Sequence, residues 1–351
     1  MGLLQILSQQ PAAGKTTLAA ALLVKLAQST TPGAYYKPFS TGKEPGAEDP
    51  NLEFMQQALL APNRWPAPPP TQPLPPDSGT SSNLTEAVGQ SIRSATESLR
   101  RAATGIILDG PDLAADSGLS PSAAARSAET AGAKVIVLFR HSTGLTTAEI
   151  TQTVEPFGSN LGGIVLTRVT KHRVDQANNG VLAELRSLGM PVTGLIPESR
   201  VLQSPTVRQM AETLGARWVQ EPVNPSALDA PVEQFLIGGN IMDSGPEYYG
   251  RYDHQAVIVR SQRPDIQMAC LLAGTRCLVL TGGGEPTEYI KTEALERDVP
   301  LMVVSSTTAD TVEVLAPLAS AAHPRNLAKI TEFAKGLDRH LDVEGLLAIL
   351  A

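Results

Sequence analysis

The chain has 351 residues, 42% of them apolar and 18% charged, with a formal charge of -7 at pH 7. That length is about two domains' worth, and aromatics at 4% with an acidic balance argue against a nucleic-acid partner, without excluding a local basic site. No stretch approaches the about 18 consecutive apolar residues of a membrane span, and no charged and apolar leader opens the chain, so the expectation is a cytoplasmic protein without membrane insertion.

The first element is an apolar strand, Leu3-Leu4-Gln5-Ile6-Leu7, followed by a small-residue loop from Ser8 to Ala13. Gly14-Lys15-Thr16-Thr17 then opens a helix carrying Leu18, Leu22, Leu23 and Leu26. A helix N-terminus presents unpaired N–H groups and partial positive charge, a lysine beside it adds a full charge, and a threonine hydroxyl can ligate Mg²⁺. Gln10, Ala13, Gly14, Lys15, Thr16 and Thr17 are therefore the candidate phosphate-binding residues. The first glycine of the G-x-x-x-x-G-K-[ST] pattern is Gln9 here, which requires negative φ at that position or some strain.

Gly33 to Tyr36 reads as a second strand, ending in Lys37-Pro38-Phe39 and a turn at Ser40-Thr41-Gly42. In an open α/β sheet the carboxyl ends of the strands share one crevice, so Lys37 is expected beside the phosphate loop. A helix through Leu52, Phe54, Met55 and Leu59 follows. The prolines between Pro62 and Pro76 forbid helix and central strand alike, which predicts a long extended loop. A helix from Leu84 to Ala102 leads into the strand Gly105-Ile106-Ile107-Leu108-Asp109. An acidic residue at the end of a buried strand is where nucleotidases hold Mg²⁺. Asp109 is the strongest candidate, with Asp112 and Asp116 as alternates.

Three more apolar segments, at 135–139, 163–166 and 192–197, complete a parallel sheet, with helices expected at about 145–155, 174–188 and 206–214. This first domain is expected to span 1–220, with Glu221 to Pro225 as linker. A second, smaller α/β domain is expected over 226–320. Its strands fall near 234–237, 256–259, 277–280 and 301–304, and Thr281-Gly282-Gly283-Gly284 follows one of them. Cys270 and Cys277 have no companions at zinc spacing and read as buried free thiols. Residues 321–351 read as C-terminal helices.

Two sets of residues carry a resemblance. Leu3 to Thr17, the Tyr36-Lys37-Pro38 turn, Asp109-Gly110, and Gly194-Leu195-Ile196-Pro197-Glu198 followed by Ser204-Pro205-Thr206-Val207 resemble the dethiobiotin-synthetase-like P-loop domain of long phosphotransacetylases. Ile237-Gly238, Arg263-Pro264-Asp265-Ile266-Gln267 and Thr281-Gly282-Gly283 resemble the DRTGG domain that follows it there; a phosphotransacetylase catalytic domain is not expected in this chain. Where dethiobiotin synthetases have Glu-Gly this chain has Asp109-Gly110, and where they place an adenine-reading Asn it has Thr167. The resemblance implies Lys37 as a carbamate-stabilising catalytic lysine, Asp49 as a second Mg²⁺ ligand beside Thr16 and Asp109, and Thr167 at the base.

The resulting expectation is a P-loop NTPase-type, mostly parallel sheet with helices on both faces, followed by the DRTGG-like domain. It is expected to bind ATP or another nucleoside triphosphate with magnesium and to couple it to an unidentified protein or metabolite, as a homodimer. The alternatives are an ATP-dependent ligase resembling dethiobiotin synthetase and a non-enzymatic scaffold with a degenerate nucleotide site.

Overall fold

A computed structural model of the chain describes residues 2–29, 31–40, 49–73, 86–113, 119–239, 245–318 and 323–351. They form two compact units, one of residues 1–198 with 330–351 and one of residues 199–329.

The strands of the first unit are β1 (Gly2–Ser8), β2 (Gly33–Tyr36), β3 (Phe39–Ser40), β4 (Gln72–Pro73), β5 (Gly105–Asp112), β6 (Lys134–Arg140), β7 (Leu161–Val169) and β8 (Val192–Pro197). Six of them form one parallel sheet in the order β2-β5-β1-β6-β7-β8, which places β1 at its centre. Strands buried on both faces read as continuous apolar runs, and β1, β5 and β6 do so. Leu3 and Leu7 join the cluster that includes Ile92, Leu99, Ala124, Ile150 and Leu185 from the helices on one face. Leu4, Ile6, Ile107 and Ile136 are buried outside that cluster, and helix α1 (Lys15–Gln28) and the helix Val343–Leu350 both contact β1 and β5. The fold class read from the sequence is the observed one.

The proline-rich segment opens in a turn over 62–64, with Arg64 at φ 57°, and carries no regular structure from there to β4, which pairs in parallel with β3. Its last residues, 74–76, lie outside the described residues, as do Thr41, Gly42, Asp116 and the first turn of the helix expected from Leu84; that helix is described over Glu86–Arg100.

The second unit holds β9 (Arg217–Gln220), β10 (Gln234–Gly238), β11 (Gln255–Arg260), β12 (Cys277–Thr281) and β13 (Leu301–Val303). Their order is β10-β11-β12-β13-β9, parallel except for β9. Cys270 and Cys277 are buried free thiols, and burial pushes both up from their ordinary value, Cys277 to about 12.

The division between units differs from the expected boundary at 220. Arg217–Gln220, a short run with only Trp218 and Val219 apolar, pairs with β13 and so belongs to the second sheet. The C-terminal residues are not a separate segment either. His340 accepts a hydrogen bond from Leu195 N at 3.1 Å and Asp342 N donates to Thr193 O at 3.0 Å, stitching residues 340–342 to β8. A Cβ on Gly2 would lie 1.7 Å from the Ile349 carbonyl oxygen, so the last helix rests directly on the start of β1.

Candidate functional site

The carboxyl end of β1, the loop 9–14 and the N-terminus of α1 converge with the carboxyl end of β5. Gly14 takes left-handed backbone geometry (φ 98°) as the N-cap of α1, which has no side-chain cap and no acidic residue in its first turn. A Cβ there would touch nothing within 4 Å, so glycine is needed at this position for its φ and not for space. Such an end directs N–H groups and partial positive charge into the loop. Of the two alternatives at Gln9 the structure takes the negative φ, and the left-handed residue of the loop is Ala12, whose φ is 55°. Left-handed geometry at a residue with a Cβ costs about 1–2 kcal/mol. Gln9 avoids it because its N–H continues the sheet, donating to Leu138 O at 3.0 Å. Its side chain donates to Glu149 Oε1 at 2.8 Å.

Lys15 ion-pairs with Asp112 and donates to Ser8 Oγ at 2.9 Å. The Ser8 hydroxyl lies 2.7 Å from Asp112 Oδ1 and 2.8 Å from the Gln10 carbonyl. Gln10 Oε1 in turn accepts from Arg140 N at 3.1 Å, pinning the loop to the end of β6. Ala13 is buried, and Thr17 is half-buried on the first turn of α1. Thr16 Oγ1 donates to Asp109 Oδ2 at 2.6 Å, and the buried Tyr35 hydroxyl donates to the same oxygen at 2.8 Å. Burial first, and then the Asp109 charge, push the Tyr35 phenol well above its ordinary value of 10.0. Asp109 itself is 2% exposed. A hydroxyl and a carboxylate are hard oxygen donors of the kind Mg²⁺ takes, and their adjacency fits that ion. No cluster of three or more His, Cys, Asp or Glu able to hold a metal is present among the described residues.

Lys37 and Asp49 form a second, adjoining ion pair. Asp49 also accepts from Asn51 N at 2.9 Å and caps the helix Pro50–Met55, and its charge acts on Tyr35. Burial raises its carboxyl, but Lys37 and the Asn51 and Leu52 N–H groups outweigh that and hold it below the ordinary value. Its contribution to stability is therefore complete above the ordinary carboxylate value and lost as pH falls through the lower, folded one. Thr167 is buried in β7, its hydroxyl 3.4 Å from Phe139 O and its carbonyl accepting from His141 N at 2.9 Å. The side chain is thus turned onto β6.

Sequence reading missed Ser8 and Tyr35. Ser8, read as the first residue of the loop, instead closes β1, and Tyr35 sits inside an apolar strand, so periodicity assigns it to the core. Also missed were Arg140, His141, Arg168, Lys171 and Arg173, which gather at the carboxyl ends of β6 and β7. Burial, and then the Arg173 charge, lower the His141 imidazole from its ordinary value of 6.5.

The phosphate-loop geometry and the parallel sheet together define an α/β unit of the P-loop type. The second unit has a family match: residues 209–318 fit the DRTGG domain. Solved structures similar to the chain include the CBS and DRTGG domains of the regulatory region of a Clostridium perfringens pyrophosphatase complexed with its activator diadenosine tetraphosphate. That match has 15% identity over 47% of this chain and 74% of that one, with a TM-score of 0.30. The MinD cell division protein of Aquifex aeolicus is similar at 15% identity over 57% of this chain and 84% of its own, with a TM-score of 0.35. FtsY of Mycoplasma mycoides is similar at 16% identity over 56% and 59%, also with a TM-score of 0.35. Likenesses this distant extend to neither ligand nor activity. No helix among the described residues is long and apolar enough to cross a membrane.

Proposed function

We propose that the chain is a nucleotide-binding regulatory protein. Its phosphate loop binds ATP or another nucleoside triphosphate with magnesium, and its DRTGG unit senses a metabolite or docks a partner. The observation that carries this reading is the convergence of Lys15, Thr16 and Asp109 at an uncapped helix N-terminus. Lys15 supplies charge to the outer phosphates, the first N–H groups of α1 supply donors, and Thr16 with Asp109 supplies the magnesium oxygens. The proposal extends to a homodimer in the cytoplasm, with no nucleic-acid partner.

Regulation is favoured over ligation because Lys37, the residue a carbamate-forming ligase would use, is already neutralised by Asp49. A lysine so paired is a poor site for carbon dioxide or a carbamate.

The Lys15–Asp112 pair gives the reading a specific test. An incoming phosphate competes with Asp112 for the ammonium, so Asp112→Asn is expected to tighten binding of magnesium-free ATP. The side chains are 13% and 17% exposed, and a partly screened pair is worth about 1 kcal/mol, which converts to roughly fivefold in affinity. Calorimetric titration of both proteins with ATP in EDTA measures it. Equal or weaker binding by the variant, or no binding by either protein, contradicts the competition.

A further inference from the structure

The chain changes faces of the second sheet between β12 and β13. The connections leaving β11 and β12 form the helices Pro264–Leu272 and Glu288–Glu296, whose Ile266, Cys270, Ile290 and Ala294 pack on one face. The connection leaving β13 forms the helix Thr308–Leu315, whose Leu315 packs on the other face with Val207 and Met210. In an open α/β sheet, connections that part to opposite faces leave a crevice outside the carboxyl ends of their strands, and ligands collect there.

Here that point is occupied by Thr281 to Gly284. Gly282 and Gly283 both have positive φ (87° and 72°) and donate to Ser306 O at 3.1 Å and Val304 O at 2.9 Å, tying the two loops together. Ser261, at the end of β11, faces this turn: a Cβ on Gly284 would lie 2.6 Å from its Oγ. Ser261 is 7% exposed, and its hydroxyl has no hydrogen-bond partner among the described residues. The backbone around it is fixed, since Gln267 Nε2 donates to the Arg260 and Ser261 carbonyls, both at 3.0 Å. A buried hydroxyl without a partner costs free energy and is found where a ligand or water completes it.

The charges at this edge choose the ligand. Asp265 is paired with Arg263, Glu285 with Arg217 and Lys291, and Asp310 caps its own helix. Arg260 ends β11 exposed and makes no ion pair among the described residues. The helix Pro264–Leu272 begins beside it, but its first N–H groups, those of Asp265 and Ile266, are taken by the Asp265 carboxylate. The donors left are a hydroxyl and an arginine, which suit a compact, acceptor-rich anion.

We propose that the carboxyl edge of β11, β12 and β13 is a binding site for a phosphate-bearing small molecule, held by Ser261 and Arg260 over the Gly282–Gly284 turn. This rests on the reading of the second unit as the sensor, but not on nucleotide binding by the first.

The test uses the full chain carrying Lys15→Ala, which disables the phosphate loop, titrated with inorganic phosphate and with pyrophosphate by calorimetry. Binding is expected to persist in that background. Adding Ser261→Ala or Arg260→Gln is expected to weaken it by about tenfold each, the effect of one lost hydrogen bond to a charged group. Gly284→Ala, which sets a methyl against Ser261, is expected to weaken it at least as much, and Ser261→Ala keeps the test informative should that variant fail to fold. Phosphate binding that vanishes with Lys15→Ala alone, or that is unchanged by both Ser261→Ala and Arg260→Gln, overturns the proposal. Failure of the wild type to bind ATP sinks the nucleotide reading and leaves this result standing.

Discussion

A chain truncated after Gly336 is expected to lose the cooperative unfolding of its first unit, although the whole phosphate loop and all six strands of the sheet remain. The deleted residues include Leu337, Leu341, Val343, Leu346 and Leu350, each no more than 5% exposed. Burying side chains of this kind contributes about 1.5–3 kcal/mol each. Five of them amount to roughly 7–15 kcal/mol as an upper bound, which is the size of a domain's whole stability. The truncation also strips Gly2 and Gly105 of the backbone that covers them, the Ile349 and Leu350 carbonyls. A fragment ending at Gln220 has the same defect, and it also cuts β9 away from β13. Thermal melts followed by near-UV circular dichroism decide the matter. A cooperative melt of the truncated chain within a few degrees of the full chain would remove the C-terminal helix from the account of the first core.

Asp109→Ala is expected to be the most damaging single change at the site itself. It takes the acceptor from Thr16 and from Tyr35, whose hydroxyl is buried, and a buried donor left without a partner costs roughly 1–3 kcal/mol. Tyr35→Phe removes one donor and leaves Asp109 with Thr16, so its destabilisation should be the smaller of the two. Urea denaturation of both variants gives the comparison, and equal midpoints would mean that Asp109 does not organise this cluster. The phenol adds a pH signature. Its folded value is raised above the ordinary 10.0, so its contribution is complete below about 10 and is lost as pH climbs from there toward the folded value. Tyr35→Phe should remove that part of the alkaline loss.

Much of this was legible in the sequence because each piece was local. The strand Leu3–Leu7, the Gly14-Lys15-Thr16 sequence and the leucines of α1 announce strand, loop and helix without help from the rest of the chain. Asp109 ends an apolar run, and its approach to Thr16 follows from the parallel order of the sheet. What escaped depends on pairing between distant segments. Arg217–Gln220 has too few apolar residues to declare a strand, and only β13 makes it one. The C-terminal helices have an apolar face, but periodicity cannot say which surface covers it, and the answer lies at Gly2, more than three hundred residues away. Tyr35 reads as a core residue and Ser8 as an ordinary loop residue, because their hydroxyls are committed to Asp109 and Asp112, contacts that no spacing rule connects. Gln9 takes the negative φ that its place in the pattern allows because it extends the β1–β6 pairing, and the left-handed residue is Ala12 three positions on.

The central claim is that Lys15 at the N-terminus of α1 holds nucleotide phosphates, and it is tested most directly by titrating ATP with Mg²⁺ into the wild type and into Lys15→Ala by calorimetry. A charge-assisted contact of this kind is worth about 1.5–3 kcal/mol. The account therefore predicts a loss of roughly ten- to a hundredfold in affinity with a thermal melt lowered by no more than about 2–4 °C, since the ammonium reaches Ser8 and Asp112 at the loop and not the apolar core. The same affinity in both proteins, or no binding by either, would contradict it.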